Sequence, residues 1–113
     1  MMKQYTPDRW EVLEFQRGND EPVYKVFAGW YGGYTSGDSW QLNSGIARVV
    51  DTGNAYEFHG HSGSVYTCHK GAQSMSGLML TVFDAWKQQA KDLPGYGVKV
   101  SPNWQDCVDF EVL

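Results

Sequence analysis

The chain has 113 residues, 42% hydrophobic and 19% charged, which is the length of one domain and excludes both two independent cores and the polar, charge-rich compositions that stay disordered. Thirteen acidic against nine basic residues give a formal net charge of −4, and the basic residues are scattered, so the sequence offers no basic patch for direct nucleic-acid binding. No stretch approaches the roughly 18 apolar residues of a membrane span, and the segment from Met1 to Arg9 lacks the apolar run of a secretion signal. The expectation is a single cytoplasmic domain over 1–113 with no membrane association.

Trp10-Glu11-Val12-Leu13-Glu14-Phe15 is β-prone and stops at Gly18-Asn19-Asp20, residues that favour a turn. The return strand of this hairpin reads Val23 to Trp30, with Pro22 at its start, where the missing N–H costs least. From Tyr31 to Gly45 the sequence YGGYTSGDSWQLNSG is rich in Gly and Ser and also aromatic, and it reads as a long irregular loop. Three short strands follow, Ile46–Val50, Ala55–His59 and Ser64–Cys68, separated by glycine-bearing turns that make an antiparallel meander. A two-residue turn at His61-Ser62 pairs Phe58 with Val65 and Tyr56 with Thr67. That register buries Tyr56, Phe58 and Val65 and turns Glu57, His59 and Tyr66 outward.

One amphipathic helix is expected over about residues 76–93, capped by Ser74 or Ser76 and ended by Pro94-Gly95. Met79, Val82, Phe83, Trp86, Ala90 and Leu93 form its apolar stripe. Val98–Val100 is a short strand candidate, and Cys107 to Val112 alternates with Val108, Phe110 and Val112 inward. The fold class is α+β: a curved, mostly antiparallel sheet of five to seven short strands packed on one helix.

The stretch from Phe58 to His69 holds all three histidines and Cys68. Imidazole and thiolate are the ligands of tetrahedral zinc, but in the register above Cys68 lies far along the strand from His59, and His69 points to the opposite face. The expectation is therefore no metal and no cofactor. His59 and His61 remain the weak catalytic candidates, as general bases of a small hydrolase or a metal-assisted enzyme. Cys68 and Cys107 match no disulfide or CxxC pattern and read as free thiols. No nucleophile elbow, phosphate loop or dinucleotide fingerprint is complete. The segment Trp30 to Gly45 combines Tyr and Trp with Ser, Gly and Asn, the side-chain chemistry of binding loops. Its candidate contact residues are Trp30, Tyr31, Tyr34, Asp38 and Trp40; the alternative is that the two tryptophans fold back and cap the sheet.

The stretches FAGWYGGYTSGDSWQLNSGI (Phe27 to Ile46) and FHGHSGSVYTCHKG (Phe58 to Gly71) resemble small uncharacterised proteins encoded in bacterial and phage genomes. The resemblance covers about a third of the chain and carries over no functional residue. It implies a context, the host cytoplasm if the gene is phage-borne, in which short acidic proteins bind and block host machinery. The leading expectation is a non-enzymatic binding protein with a macromolecular protein partner, such as an anti-CRISPR-like inhibitor of a host nuclease or defence complex. The alternatives are the His59/His61 enzyme and a self-associating structural or assembly subunit of a phage.

Overall fold

A computed structural model describes residues 3–33 and 37–113. Nine strands and one helix are found among them, in the order β1 (Gln4–Tyr5), β2 (Arg9–Gln16), β3 (Val23–Gly33), β4 (Gly37–Leu42), β5 (Ile46–Asp51), β6 (Ala55–Gly60), β7 (Val65–His69), α1 (Gly77–Lys91), β8 (Gly97–Val100) and β9 (Phe110–Val112). They form two sheets, ordered β1-β7-β6-β5-β9 and β4-β3-β2-β8. Only the outer pairs β1–β7 and β5–β9 are parallel. The α+β class and the antiparallel sheet on a single helix are as expected from sequence, but the strands divide between two layers, and the helix covers only the four-stranded sheet.

The reason lies in β2 and β3. Val12 and Leu13 are both fully buried, and so are Val26, Phe27 and Ala28. A strand with one wet face alternates; consecutive buried residues mean that both faces are covered. On one face Trp10, Val12, Val26 and Ala28 meet Val49, Phe58, Tyr66 and Cys68 of the five-stranded sheet. On the other, Leu13 and Phe27 meet Met79 and Phe83 of the helix. The four-stranded sheet is thus the middle layer of three.

Trp104, in the turn of 3-10 helix at Trp104–Asp106, closes the inter-sheet core. Its ring lies 5.1 Å from those of Tyr56 and Phe58, 6.0 Å from Phe110 and 6.3 Å from Trp10. The Trp10 Nε1–H donates to the His69 carbonyl at 2.7 Å, which satisfies the one polar atom of a fully buried ring. Under the helix, Gly29 permits the close approach: a Cβ there would stand 2.5 Å from Met79 Sδ. The helix starts at the expected cap, Ser76, whose Oγ accepts from Met79 N.

Four local expectations are corrected. The β6–β7 register is Phe58↔Tyr66 and Tyr56↔Cys68, one residue from that predicted, because the turn holds three residues, His61, Ser62 and Gly63. Gly60 N donates to Ser64 O, and Gly63 takes a φ of 94° that favours glycine. The slip turns Tyr66 into the core, where it is 1% exposed. Residues 31–45 are not one long loop, since β3 runs on to Gly33 and pairs with β4. Glycine and serine weaken a strand without preventing the ladder when a neighbouring strand is already in place. At the C-terminal end Phe110 is half-buried, but Val112 is 71% exposed, since β9 is a three-residue parallel edge on β5. The helix ends at Lys91, so Leu93 lies beyond it and is exposed.

Candidate functional site

Four of the five candidate contact residues, Trp30, Tyr31, Asp38 and Trp40, lie on β3 and β4 and do not share one surface. Side chains alternate along a strand, so Trp30 follows Val26 and Ala28 toward the inter-sheet core, while Tyr31 follows Phe27 and Gly29 toward the helix side. Trp30 packs edge-on to Tyr5, with ring centroids 6.2 Å apart, and its Nε1–H donates to the Thr6 carbonyl at 3.1 Å. It caps the open end of the core. Trp40 is paired with Gly29 and lies on the helix side, 5.9 Å from the Phe27 ring and 5.4 Å from Trp86. Even so, 41% of Trp40 and 48% of Tyr31 remain open to solvent. One tryptophan is therefore a cap, and the other is both a cap and a surface.

The hairpin is held in shape by two carboxylates. The ladder between β2 and β3 ends at Arg9 and Gly29, and beyond it the Tyr31 N–H, which faces the same side, donates to Asp8 Oδ2 at 2.9 Å. On the β4 side, where the β3–β4 ladder is interrupted between Trp30 and Gly33, Asp38 Oδ1 accepts from Gly32 N at 3.0 Å, so this predicted contact residue ties β4 to β3. The Arg9 guanidinium stands 5.5 Å from the centre of the Tyr31 ring, a cation–π arrangement that orients the tyrosine. Tyr34 lies outside the described residues. On the opposite face, Gln41 donates to the Tyr66 hydroxyl at 2.6 Å, tying β4 to the five-stranded sheet.

β4 is the last strand of its sheet, so its outer backbone edge is bare among the described residues. It carries a single charge, Asp38, and neither lysine nor proline, the devices that usually blunt such an edge. A bare edge flanked by Tyr31 and Trp40 can accept an added strand from a partner, with main-chain hydrogen bonds supplying affinity and the two rings supplying side-chain contact. The sequence pointed to the aromatics but not to the edge, because the alternation of β4 is masked by glycine and serine.

The histidines are dispersed. His59 is on the outward face of β6, with Nε2 3.6 Å from Glu57 Oε1, beyond hydrogen-bond length, and that atom has no hydrogen-bond partner among the described residues. His61 is exposed in the β6–β7 turn, its ring against Gly45. His69 is exposed at the end of β7, whereas the neighbouring Cys68 is buried in the core. Among the described residues, no three His, Cys, Asp or Glu side chains gather in a way that could hold a metal ion. No helix among them is long and apolar enough to cross a membrane. Comparisons with protein-family models, with curated proteins and with solved structures found no match to this chain.

Proposed function

We propose that this protein is a small non-enzymatic binding protein that acts by protein–protein contact, and that an extended segment of its partner adds to the β4 edge beside Tyr31 and Trp40. The observation that carries the reading is the bare edge with two half-exposed aromatic rings on one side of it. Tyr and Trp bring large, rigid contact area at low entropic cost, and a pair of them beside a free ladder is suited to grip a peptide backbone. In the context implied by the resemblance to phage-encoded proteins, the partner is a host nuclease or defence complex, and binding inhibits it.

The test compares wild-type protein with Tyr31→Ala and Trp40→Ala in pull-downs from bacterial host lysate, followed by nuclease assays on the retained partner. Tyr31 is the cleaner probe, because among the described residues its ring meets the Arg9 guanidinium and no other aromatic ring, whereas Trp40 also supports Phe27 and Trp86. Retention of a partner by wild type, its loss with Tyr31→Ala and inhibition of its activity are expected. A wild-type protein that retains no partner, or a partner held equally by both variants, refutes the reading.

A further inference from the structure

We propose that the cleft between the C-terminal half of α1 and the edge strand β8 is a binding site for a small amphipathic carboxylate, an acyl or aryl group bearing one carboxylate. This is independent of the β3–β4 hairpin. Trp86 is locked by Phe15 and Phe27, whose rings lie 6.0 and 5.1 Å away. One turn along the helix, the residue over the sheet is only Ala90. The small side chain leaves a groove of about 280 Å³ walled by Phe15, Trp86, Ala90, Leu93, Tyr96 and Val98.

No carboxylate lines this groove, and Arg17 stands at its mouth. Past Ala90 and Tyr96 the depression continues as a cleft of about 200 Å³ bordered by Lys87 and Lys91, again without a carboxylate. Three of the nine basic residues of an acidic chain therefore surround one apolar depression. Arg48, Lys70 and Lys99 each pair with a carboxylate; Arg17, Lys87 and Lys91 have no such pair among the described residues. Lys87 Nζ lies 5.3 Å from the Phe83 ring, which leaves Arg17 and Lys91 as the rim cations open to an anion; apolar walls with such cations at the rim are complementary to an apolar body with an anionic head. The volume falls at or below the lower end of ligand pockets, about 300 Å³, so the occupant is small.

The walls are held in place before any ligand arrives. Gly18 N donates to Gly95 O at 3.1 Å, and Tyr96 N donates to Leu93 O at 3.0 Å. The first bond pins the turn that leaves the helix to the β2–β3 turn, and the second closes that turn on itself. A preformed groove spares the ordering entropy that a mobile one would cost on binding.

The test is an NMR titration of the whole protein with decanoate, benzoate and decyltrimethylammonium, each below its micelle concentration. Decanoate or benzoate should produce saturable shifts at the Trp86 indole and at the amides of Ala90, Tyr96 and Val98. Which of the two binds more tightly distinguishes an acyl from an aryl occupant. Arg17→Gln and Lys91→Gln, both at exposed positions, should each weaken carboxylate binding about threefold, the size expected of a solvent-exposed ion pair. Absence of saturable shifts with both carboxylates, shifts confined to other surfaces, or equal binding of decyltrimethylammonium would overturn the proposal. Loss of partner binding at the hairpin would not touch it.

Discussion

Replacing Gly29 by alanine probes the contact on which the middle layer depends. The added Cβ would lie 2.5 Å from Met79 Sδ and 3.0 Å from Met79 Cγ. Comfortable carbon contacts are about 3.5–4.0 Å, so the overlap with sulfur is about 1 Å. A thioether on an open surface would swing away at little cost. Met79 is instead fully buried among Leu13, Phe27 and Phe83, and its sulfur accepts from Ser76 N at the helix cap. Relief therefore requires either a strained Met79 rotamer or a lifted helix N-terminus, and overpacking of this kind costs about 1–3 kcal/mol. Met79→Ala alone should cost about 2–5 kcal/mol through the cavity it leaves. In the double variant the alanine methyl enters the space the methionine vacated, so the combined loss should fall short of the sum by about 1–3 kcal/mol. Urea unfolding of the four proteins, followed by tryptophan fluorescence, measures the cycle. An unchanged midpoint for Gly29→Ala, or costs that add to within about 0.5 kcal/mol, would refute this account of how the helix seats on the sheet.

Two further outcomes follow from side-chain chemistry. Lys70 Nζ lies 2.8 and 3.0 Å from the two Asp51 oxygens and Gly53 N donates to Asp51 Oδ1 at 2.9 Å; together, with the Lys70 bond foremost, they hold the Asp51 carboxyl below the usual carboxylate range. A carboxyl depressed in the folded state stabilises the protein above its unfolded value, near about 3.9, and loses that contribution as the pH falls through the lower folded value. Asp51→Asn should therefore lower Tm at neutral pH and converge on wild type in strong acid; a Tm difference independent of pH would contradict this. Cys68 is fully buried, and burial pushes its thiol far above the ordinary range, whereas Cys107 is exposed. A disulfide reagent should modify one thiol per native chain quickly and the second only on unfolding, so two fast-reacting thiols would contradict the placement of Cys68.

Much of the architecture was readable from local pattern. The β2–β3 hairpin, the meander from Ile46 to Cys68 and the helix with its Ser76 cap all carry short-range signals: turn residues, β-branched runs and a three-to-four spacing of apolar residues. The β6–β7 register was not readable, because the turn could close on two residues or on three, and only a positive φ at Gly63 decides between them. The candidate site was half readable. Tyr31 and Trp40 were singled out by residue type, but their separation from Trp30 depends on strand parity, which becomes visible only once residues 37–42 are known to pair with β3. Trp104 gave no periodic signal at all; it sits in a short turn, and three of the four aromatic rings around it, Trp10, Tyr56 and Phe58, come from distant parts of the chain.

By itself the sequence determined the class of the fold: α+β, rich in aromatics, with one amphipathic helix. Those properties follow from composition and from interactions a few residues apart. Tertiary structure decided how the layers stack, which strand edge is left bare and which aromatic rings stay open to water. The excess of aromatics and glycines divides accordingly. Trp10, Trp30 and Trp104 close the core between the sheets, Gly29 lets the helix approach, and Tyr31 and Trp40 remain half-exposed on the hairpin. The physical reason is that burial is set by what a distant segment places against a residue, and the same aromatic ring is core or surface according to whether a second layer reaches it.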